Sequence, residues 1–117
     1  MSETFELGQW VRVKAEVVTD YGERHSWKII AEPECPSLGQ WLGAMKRLFR
    51  RELAPPIVGR LIGRTKRYTG IRTWEGEDVG CIFEPHSCHV VYLIAQQLQW
   101  RKPIQALEQD IEVLGDE

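Results

Sequence analysis

Hydrophobic and polar residues alternate in the first patterned part of the chain. From Trp10 to Val18, small aliphatic residues occupy every second position and charged residues lie between them. A period of two is typical of a strand with one buried face, so this segment predicts a β-strand. Turn residues follow at Asp20–Glu23, and Ser26–Ala31 reads as a second strand, which predicts a β-hairpin.

The spacing changes after Pro36. Apolar residues now recur at intervals of three and four: Leu38, Trp41, Leu42, Met45, Leu48, Phe49 and Leu53. This spacing predicts one inserted amphipathic α-helix over about residues 38–53. Ser37 and Gln40 have the form of a capping box, and Pro55-Pro56 would end the helix. Four cations fall on its opposite, solvent-facing side: Lys46, Arg47, Arg50 and Arg51.

Short β-patterned segments occupy the rest of the chain, at Ile57–Tyr68, Ile71–Trp74, Val79–Phe83, His89–Leu98 and Pro103–Leu107. Turn residues separate them at Thr69-Gly70, Glu75–Asp78 and Gln99–Lys102, and Glu108–Ile111 reads as a single helical turn. Alternation places Arg60, Arg64 and Lys66 on one face of the first segment, with Leu61 and Thr65 on the other. The chain therefore predicts a mainly β fold of six to seven short strands, as a small, strongly bent sheet or barrel.

Composition fits one soluble domain over residues 1–117. The chain is 43% hydrophobic and 27% charged, an ordinary globular balance. Its start lacks a secretory signal, and no apolar run reaches the ~20 residues that span a bilayer, so we expect no membrane. Three cysteines without an export signal favour reduced thiols in a cytoplasm.

A resemblance lies mainly in the second half of the chain. It rests on three runs: Ile57-Val58-Gly59-Arg60 with Tyr68-Thr69-Gly70, His89 to Ala95, and Trp100 to Ile104 closing on Glu108-Gln109-Asp110-Ile111. These runs resemble small SH3-like barrel proteins encoded by bacteriophages and prophages. The resemblance implies a partly open SH3-like barrel, with the 38–53 helix as an insertion, in a bacterial host cytoplasm. Such proteins mostly have no assigned activity, so it implies no functional residue.

Charge is distributed unevenly along the chain. Residues 46–72 hold nine basic side chains against one acidic, Glu52, whereas the remainder holds six basic and sixteen acidic. The near-neutral total therefore conceals a strongly basic block. Such asymmetry indicates either a charged partner or pairing between the block and the acidic remainder.

The basic block is the first candidate site. Its predicted partner-binding residues come from the solvent side of the helix, the polar strand face and the nearby aromatics: Lys46, Arg47, Arg50, Arg51, Arg60, Arg64, Lys66, Tyr68 and Trp74. We expect a non-catalytic accessory module that contacts a protein partner through this surface. Nucleic acid is the alternative, because arginines grip phosphates and aromatics stack on unpaired bases. Solvated charges neutralised within the chain are the third reading.

Two further candidates stay open. Cys81, His86 and Cys88 could centre a small metal site or a thiol enzyme, but their spacing fits no metal-binding knuckle and no catalytic signature surrounds them. We therefore expect no cofactor, no metal and no catalytic residue. The apolar arc of the helix is a second contact surface, for a protein or for a second copy in a dimer, if the barrel does not cover it.

Overall fold

Strands dominate the computed structural model, which describes residues 5–21, 26–33, 43–74, 76–96 and 102–114. Its six strands are β1 (Trp10–Asp20), β2 (Lys28–Ala31), β3 (Gly43–Trp74), β4 (Cys81–Ala95), β5 (Ile104–Ala106) and β6 (Ile111–Val113). A 3₁₀ turn at Glu108–Asp110 precedes β6, where the sequence predicts one helical turn. Strands make up 74% of the described residues, which hold no helix of seven residues or more, and the mainly β prediction is confirmed.

The strands form one antiparallel sheet in the order β5-β4-β3-β1-β6. At one end Val13 of β1 lies opposite Ile111 of β6, and at the other Ile94 of β4 lies opposite Ile104 of β5. Strand β2 pairs with β3, so the predicted hairpin between the first two strands is wrong for the part of the chain that is described. The turn predicted at 20–23 falls partly outside the described residues, and the one at 99–102 does so for most of its length.

The predicted amphipathic helix is wrong over residues 43–53, which belong to β3; residues 38–42 lie outside the described part. Both faces of β3 are covered where it pairs with β2. The register shifts between Ile29 and Ala31, and the successive residues Phe49 and Leu48 opposite them are both buried. A strand that buries two neighbours in a row loses its period of two. Its apolar residues then show the intervals of three and four that are typical of a helix.

Strands β3 and β4 are longer than the sequence predicts. Strand β3 runs on through Pro55-Pro56, where the Ala54–Pro55 peptide bond is cis, and through Thr69-Gly70. Strand β4 likewise continues through Pro85. Gly70 serves close packing instead of a turn, because a Cβ there would lie 2.3 Å from the carbonyl oxygen of Glu84. The turn predicted near Glu75–Asp78 is present at residues 76–80, where the Gly80 N–H donates to the Gly76 carbonyl.

The chain divides into two compact units, each drawing on distant segments. Unit 1 holds Met1–Val17, Arg51–Lys66 and Val90–Glu117, and unit 2 holds Val18–Arg50 and Arg67–His89. The prediction that residues 1–117 form one domain stays a prediction.

Unit 1 contains a continuous hydrophobic core. In β1, every second side chain from Val11 to Val17 is buried, as the alternation in the sequence predicts. The core cluster joins β1, β3, β4, β5 and β6 through Val11, Val13, Leu61, Ile94, Ile104, Ala106 and Ile111. Phe5 packs against it and meets the ring of Tyr92 edge-on, with ring centroids 4.9 Å apart. This packing fixes which face of β3 points away from the core in unit 1.

Unit 2 packs aromatic and polar side chains together. The rings of Trp27 and Phe49 meet edge-on with centroids 6.0 Å apart. Thr69 is fully buried, and its hydroxyl shares a hydrogen bond with the Ser87 hydroxyl. Ser87 in turn lies 3.0 Å from Nε2 of His89, which completes a chain of three polar groups. Burial of Thr69 is thereby compatible with its polarity.

Candidate partner-binding surface

Unit 1 presents one face of β3 to solvent, here called the β3 outer face: Val58, Arg60, Ile62, Arg64 and Lys66. All five are exposed, whereas Gly59 and Leu61 between them are buried. Val58 is 44% and Ile62 47% exposed, although both side chains are aliphatic. The predicted placement of Arg60, Arg64 and Lys66 on one face is therefore what the burial pattern shows, and two apolar side chains share that face with them.

Arg60 stacks on an aromatic ring. Its guanidinium carbon lies 4.7 Å from the ring centroid of Trp10 on β1. The two residues meet because Leu61 donates its N–H to the carbonyl of Gln9, which aligns the two strands at this point. A cation over an indole gains ~0.5–1 kcal/mol at an exposed site and loses rotamer freedom in the process. Stacking thus holds Arg60 in place, and a guanidinium stacked on a ring can still donate through its edge.

Arg64 differs from the other arginines of the basic block. It is exposed, and within the described residues it has neither a carboxylate nor an aromatic partner. Lys66, the next residue on this face, does have interactions of its own. An exposed guanidinium of this kind retains all five donors for a partner. Among the described residues, nothing compensates the positive charge that Arg64 gives to the β3 outer face.

The four cations predicted on one helix face do not share a face. They belong to β3, where successive side chains point to opposite sides. In unit 2, Lys46 lies over the ring of Phe83 at 5.4 Å, and Nε of Arg47 lies 2.9 Å from the Glu32 carboxylate. The predicted continuous basic face over residues 46–51 is wrong for this reason.

Part of the basic block is neutralised within the chain. In unit 1, Arg51 forms an ion pair with Glu16 of β1. In unit 2, Arg47 pairs with Glu32, and Arg50 also has interactions. The reading in which the acidic remainder compensates the block therefore holds for Arg47 and Arg51, whereas the described part of the chain offers Arg64 no such partner.

The predicted aromatic members of the site belong to unit 2. Tyr68 is exposed, and Trp74 ends β3 with its side chain outside the described part. Arg72, which the prediction leaves out, lies over the ring of Tyr21 at 4.3 Å. Unit 2 thus uses two basic residues, Lys46 and Arg72, to cover aromatic rings.

Sequence reasoning missed three residues of the β3 outer face and its surroundings: Trp10, Val58 and Ile62. The signal that could have found the two aliphatic residues is the alternation that selects Arg60 and Arg64, because Val58 and Ile62 occupy the same even positions. Trp10 lacks such a signal, since its contact depends on how β1 pairs with β3.

His86, Cys88 and His89 are spread over the two faces of β4. Cys88 is exposed, and His89 lies on the other side beside Ser87, as the alternation predicts. Nε2 of His86 is 3.6 Å from the Glu84 carboxylate. The side chain of Cys81 lies outside the described part. Within the residues that the structure describes, no group of three or more His, Cys, Asp or Glu is placed to hold a metal ion.

Comparison with protein-family models, with curated proteins and with solved structures finds no match to this chain. Among the described residues there is no helix long and apolar enough to cross a membrane.

Proposed function

We propose that this protein is a non-catalytic binding module that contacts an acidic segment of a protein partner through the β3 outer face. The observation that supports it best is the interleaving on this face. Arg60 and Arg64 alternate with the exposed Val58 and Ile62, so charge and apolar surface are offered together. A protein segment can satisfy both kinds of side chain, since contact regions combine buried apolar anchors with polar groups at the rim.

A nucleic-acid partner is less well supported. A phosphate backbone would engage the cations but would leave Val58 and Ile62 without a complementary surface. One face of the Trp10 ring is already occupied by Arg60, so a base could not stack on that face. The overall net charge of −2 also lies far from the basic balance of dedicated nucleic-acid domains.

An SH3-like barrel remains part of the proposal. The strand order β5-β4-β3-β1-β6 supports it, together with the 3₁₀ turn that joins β5 to β6 within unit 1. Strands β5 and β6 lie at the two ends of this order but are joined by only a short 3₁₀ segment, so the sheet has to bend to bring its two edges together, as in a small barrel. The phage or prophage origin and the cytoplasmic location stay predictions from the sequence.

Titration with defined probes tests the function. An acidic peptide of Glu, Val and Ser, the same peptide with Lys in place of Glu, and a short oligothymidylate would each be added to ¹⁵N-labelled protein. We expect amide shifts along β3 with the acidic peptide alone, weakening between about 50 and 200 mM salt because exposed charges are screened.

Charge reversal at Arg64 supplies the matched variant. Arg64→Glu should lower the affinity for the acidic peptide by about tenfold, since the substitution turns an attraction into a repulsion. Lys102→Glu is the control, because Lys102 is also an exposed cation without a partner among the described residues, and it lies outside the β3 outer face. An equal loss of peptide affinity in both variants would overturn the proposal. So would binding of the oligothymidylate in place of the peptide.

A further inference from the structure

We infer that the β3 outer face reads an extended segment in which two carboxylates, four residues apart, flank one apolar side chain. This inference rests on the proposed function and specifies the chemistry of the partner. It comes from the order Arg60, Ile62, Arg64 along one strand face, in which an exposed aliphatic side chain stands between two exposed guanidinium groups.

The spacing of these three residues selects an extended partner. A strand rises about 3.3 Å per residue, so neighbours on one face are ~6.6 Å apart and Arg60 and Arg64 are ~13 Å apart. A second extended chain lying along this face has the same two-residue repeat. Its side chains therefore stay in step with Arg60, Ile62 and Arg64. A helical segment advances 1.5 Å per residue and places carboxylates four residues apart at only about 6 Å, too close to reach both arginines.

Arg60 and Arg64 contribute differently to this recognition. Arg60 is pre-ordered by its stacking on Trp10 at 4.7 Å, so binding a carboxylate costs it little further rotamer freedom. Arg64 has no partner among the described residues and must be ordered when the segment binds. Both can receive a carboxylate through two parallel N–H donors, which fixes orientation as well as charge. Arg60 is therefore the anchor, and Arg64 sets the length of the acidic spacing.

Ile62 favours partners that have an apolar residue between the two carboxylates. It is 47% exposed and lies between two cations on the same face. A Val or Leu of the partner in this position would remove apolar surface from water on both sides, whereas a third carboxylate would have to be desolvated over an aliphatic side chain. Ile62 thus separates this pattern from a merely acidic sequence.

Two isomeric peptides test the inference. One contains Glu-Ser-Val-Ser-Glu and the other Glu-Glu-Val-Ser-Ser, so that composition and net charge are identical. NMR titration of the whole protein should give about five- to tenfold tighter binding for the alternating peptide, the range expected for one well-placed charge contact. A third isomer, Glu-Val-Ser-Ser-Glu, keeps both carboxylates in place and moves the apolar residue off the face that meets Ile62. Ile62→Thr, which keeps a β-branched side chain suited to a strand, should remove most of the preference for Glu-Ser-Val-Ser-Glu over this third peptide. Ile82→Thr, at a similarly exposed isoleucine in unit 2, is the control.

The possible outcomes distinguish a failure of this inference from a failure of the proposed function. If both peptides bind equally and Arg64→Glu weakens both, the face binds acidic proteins but the spacing rule is wrong. If neither peptide binds and the oligothymidylate does, the proposed function and the inference fail together. A preference for Glu-Ser-Val-Ser-Glu over Glu-Val-Ser-Ser-Glu that survives Ile62→Thr would overturn the role given to Ile62.

Discussion

Basic residues of the same strand behave differently in the two units. In unit 1, Arg51 pairs with Glu16 and Arg60 stacks on Trp10, whereas Arg64 is exposed and has no partner among the described residues. In unit 2, Lys46 and Arg72 cover the rings of Phe83 and Tyr21, and Arg47 pairs with Glu32. The number of cations in a segment therefore does not measure a binding surface. The neighbours that the fold provides decide whether a cation stabilises its own unit or stays available to a partner.

Glycines of β3 give the largest expected contrast between the units. A Cβ at Gly70 in unit 2 would lie 2.3 Å from the Glu84 carbonyl oxygen and 2.5 Å from Cζ of Phe83, whereas one at Gly63 in unit 1 has its nearest neighbour, Cδ1 of Leu93, at 4.0 Å. We expect Gly70→Ala to lower the free energy of unfolding by about 3 kcal/mol or more, because backbone atoms must move. Gly63→Ala should change it by less than about 0.5 kcal/mol.

Urea unfolding followed by tryptophan fluorescence measures both glycine variants. The slope of the unfolding free energy against urea should stay the same, so that the midpoints compare directly. Similar midpoints for the two variants would mean that unit 2 does not pack against Gly70 as closely as the distances indicate.

The polar chain of unit 2 gives the second contrast. Ser87→Ala should lower the free energy of unfolding by about 1–3 kcal/mol, because the buried Thr69 hydroxyl loses its hydrogen-bond partner. Cys88→Ser changes the exposed neighbouring residue and should be nearly neutral. The double variant Thr69→Val with Ser87→Ala leaves no buried hydroxyl without a partner. Its loss of unfolding free energy should therefore be smaller than the sum of the losses in the two single variants. Additive costs in this cycle would argue that the two hydroxyls do not interact.

Arg72 and Arg64 test the comparison most directly. Arg72→Ala removes the cation over Tyr21 and should destabilise the protein by about 0.5–1 kcal/mol without affecting binding of the acidic peptide. Arg64→Ala should leave the free energy of unfolding unchanged and lower the affinity for the acidic peptide. Thermal unfolding and NMR titration of both variants give the two readouts. A loss of stability at Arg64, or a loss of binding at Arg72, would contradict the division between the units.

The local pattern predicted β1 and the exposed side of β3 correctly because each has one buried and one exposed face. It failed at Leu48 and Phe49, which are successive on β3 and both buried, so that both faces of the strand are covered there. It also failed at Gly70, which reads as a turn residue but makes room for β4. In both places the deciding fact is which strand lies alongside, and that fact is not local to the sequence.

The candidate site was predictable to the same extent. Arg60, Arg64 and Lys66 follow from alternation alone, and Val58 and Ile62 were available from the same rule. The pairing of Arg51 with Glu16, by contrast, joins residues 35 positions apart. Whether a cation is compensated therefore depends on strand pairing that charge patterning cannot supply.

The smallest expected effect compares one ion pair from each unit. Arg12 and Glu112 in unit 1 are 2.9 Å apart with side chains 44% and 54% exposed, while the Arg47 side chain in unit 2 is 15% exposed beside Glu32. Double-mutant cycles with alanine should give a coupling of about 0.2–0.5 kcal/mol for the first pair and up to about 1 kcal/mol for the second, after allowance for solvent screening. The first coupling should vanish in about 1 M salt, where the Debye length is near 3 Å, and the second should persist in part. If both vanish together, the lower exposure of Arg47 does not protect its pair, and unit 2 holds its cations no more firmly than unit 1.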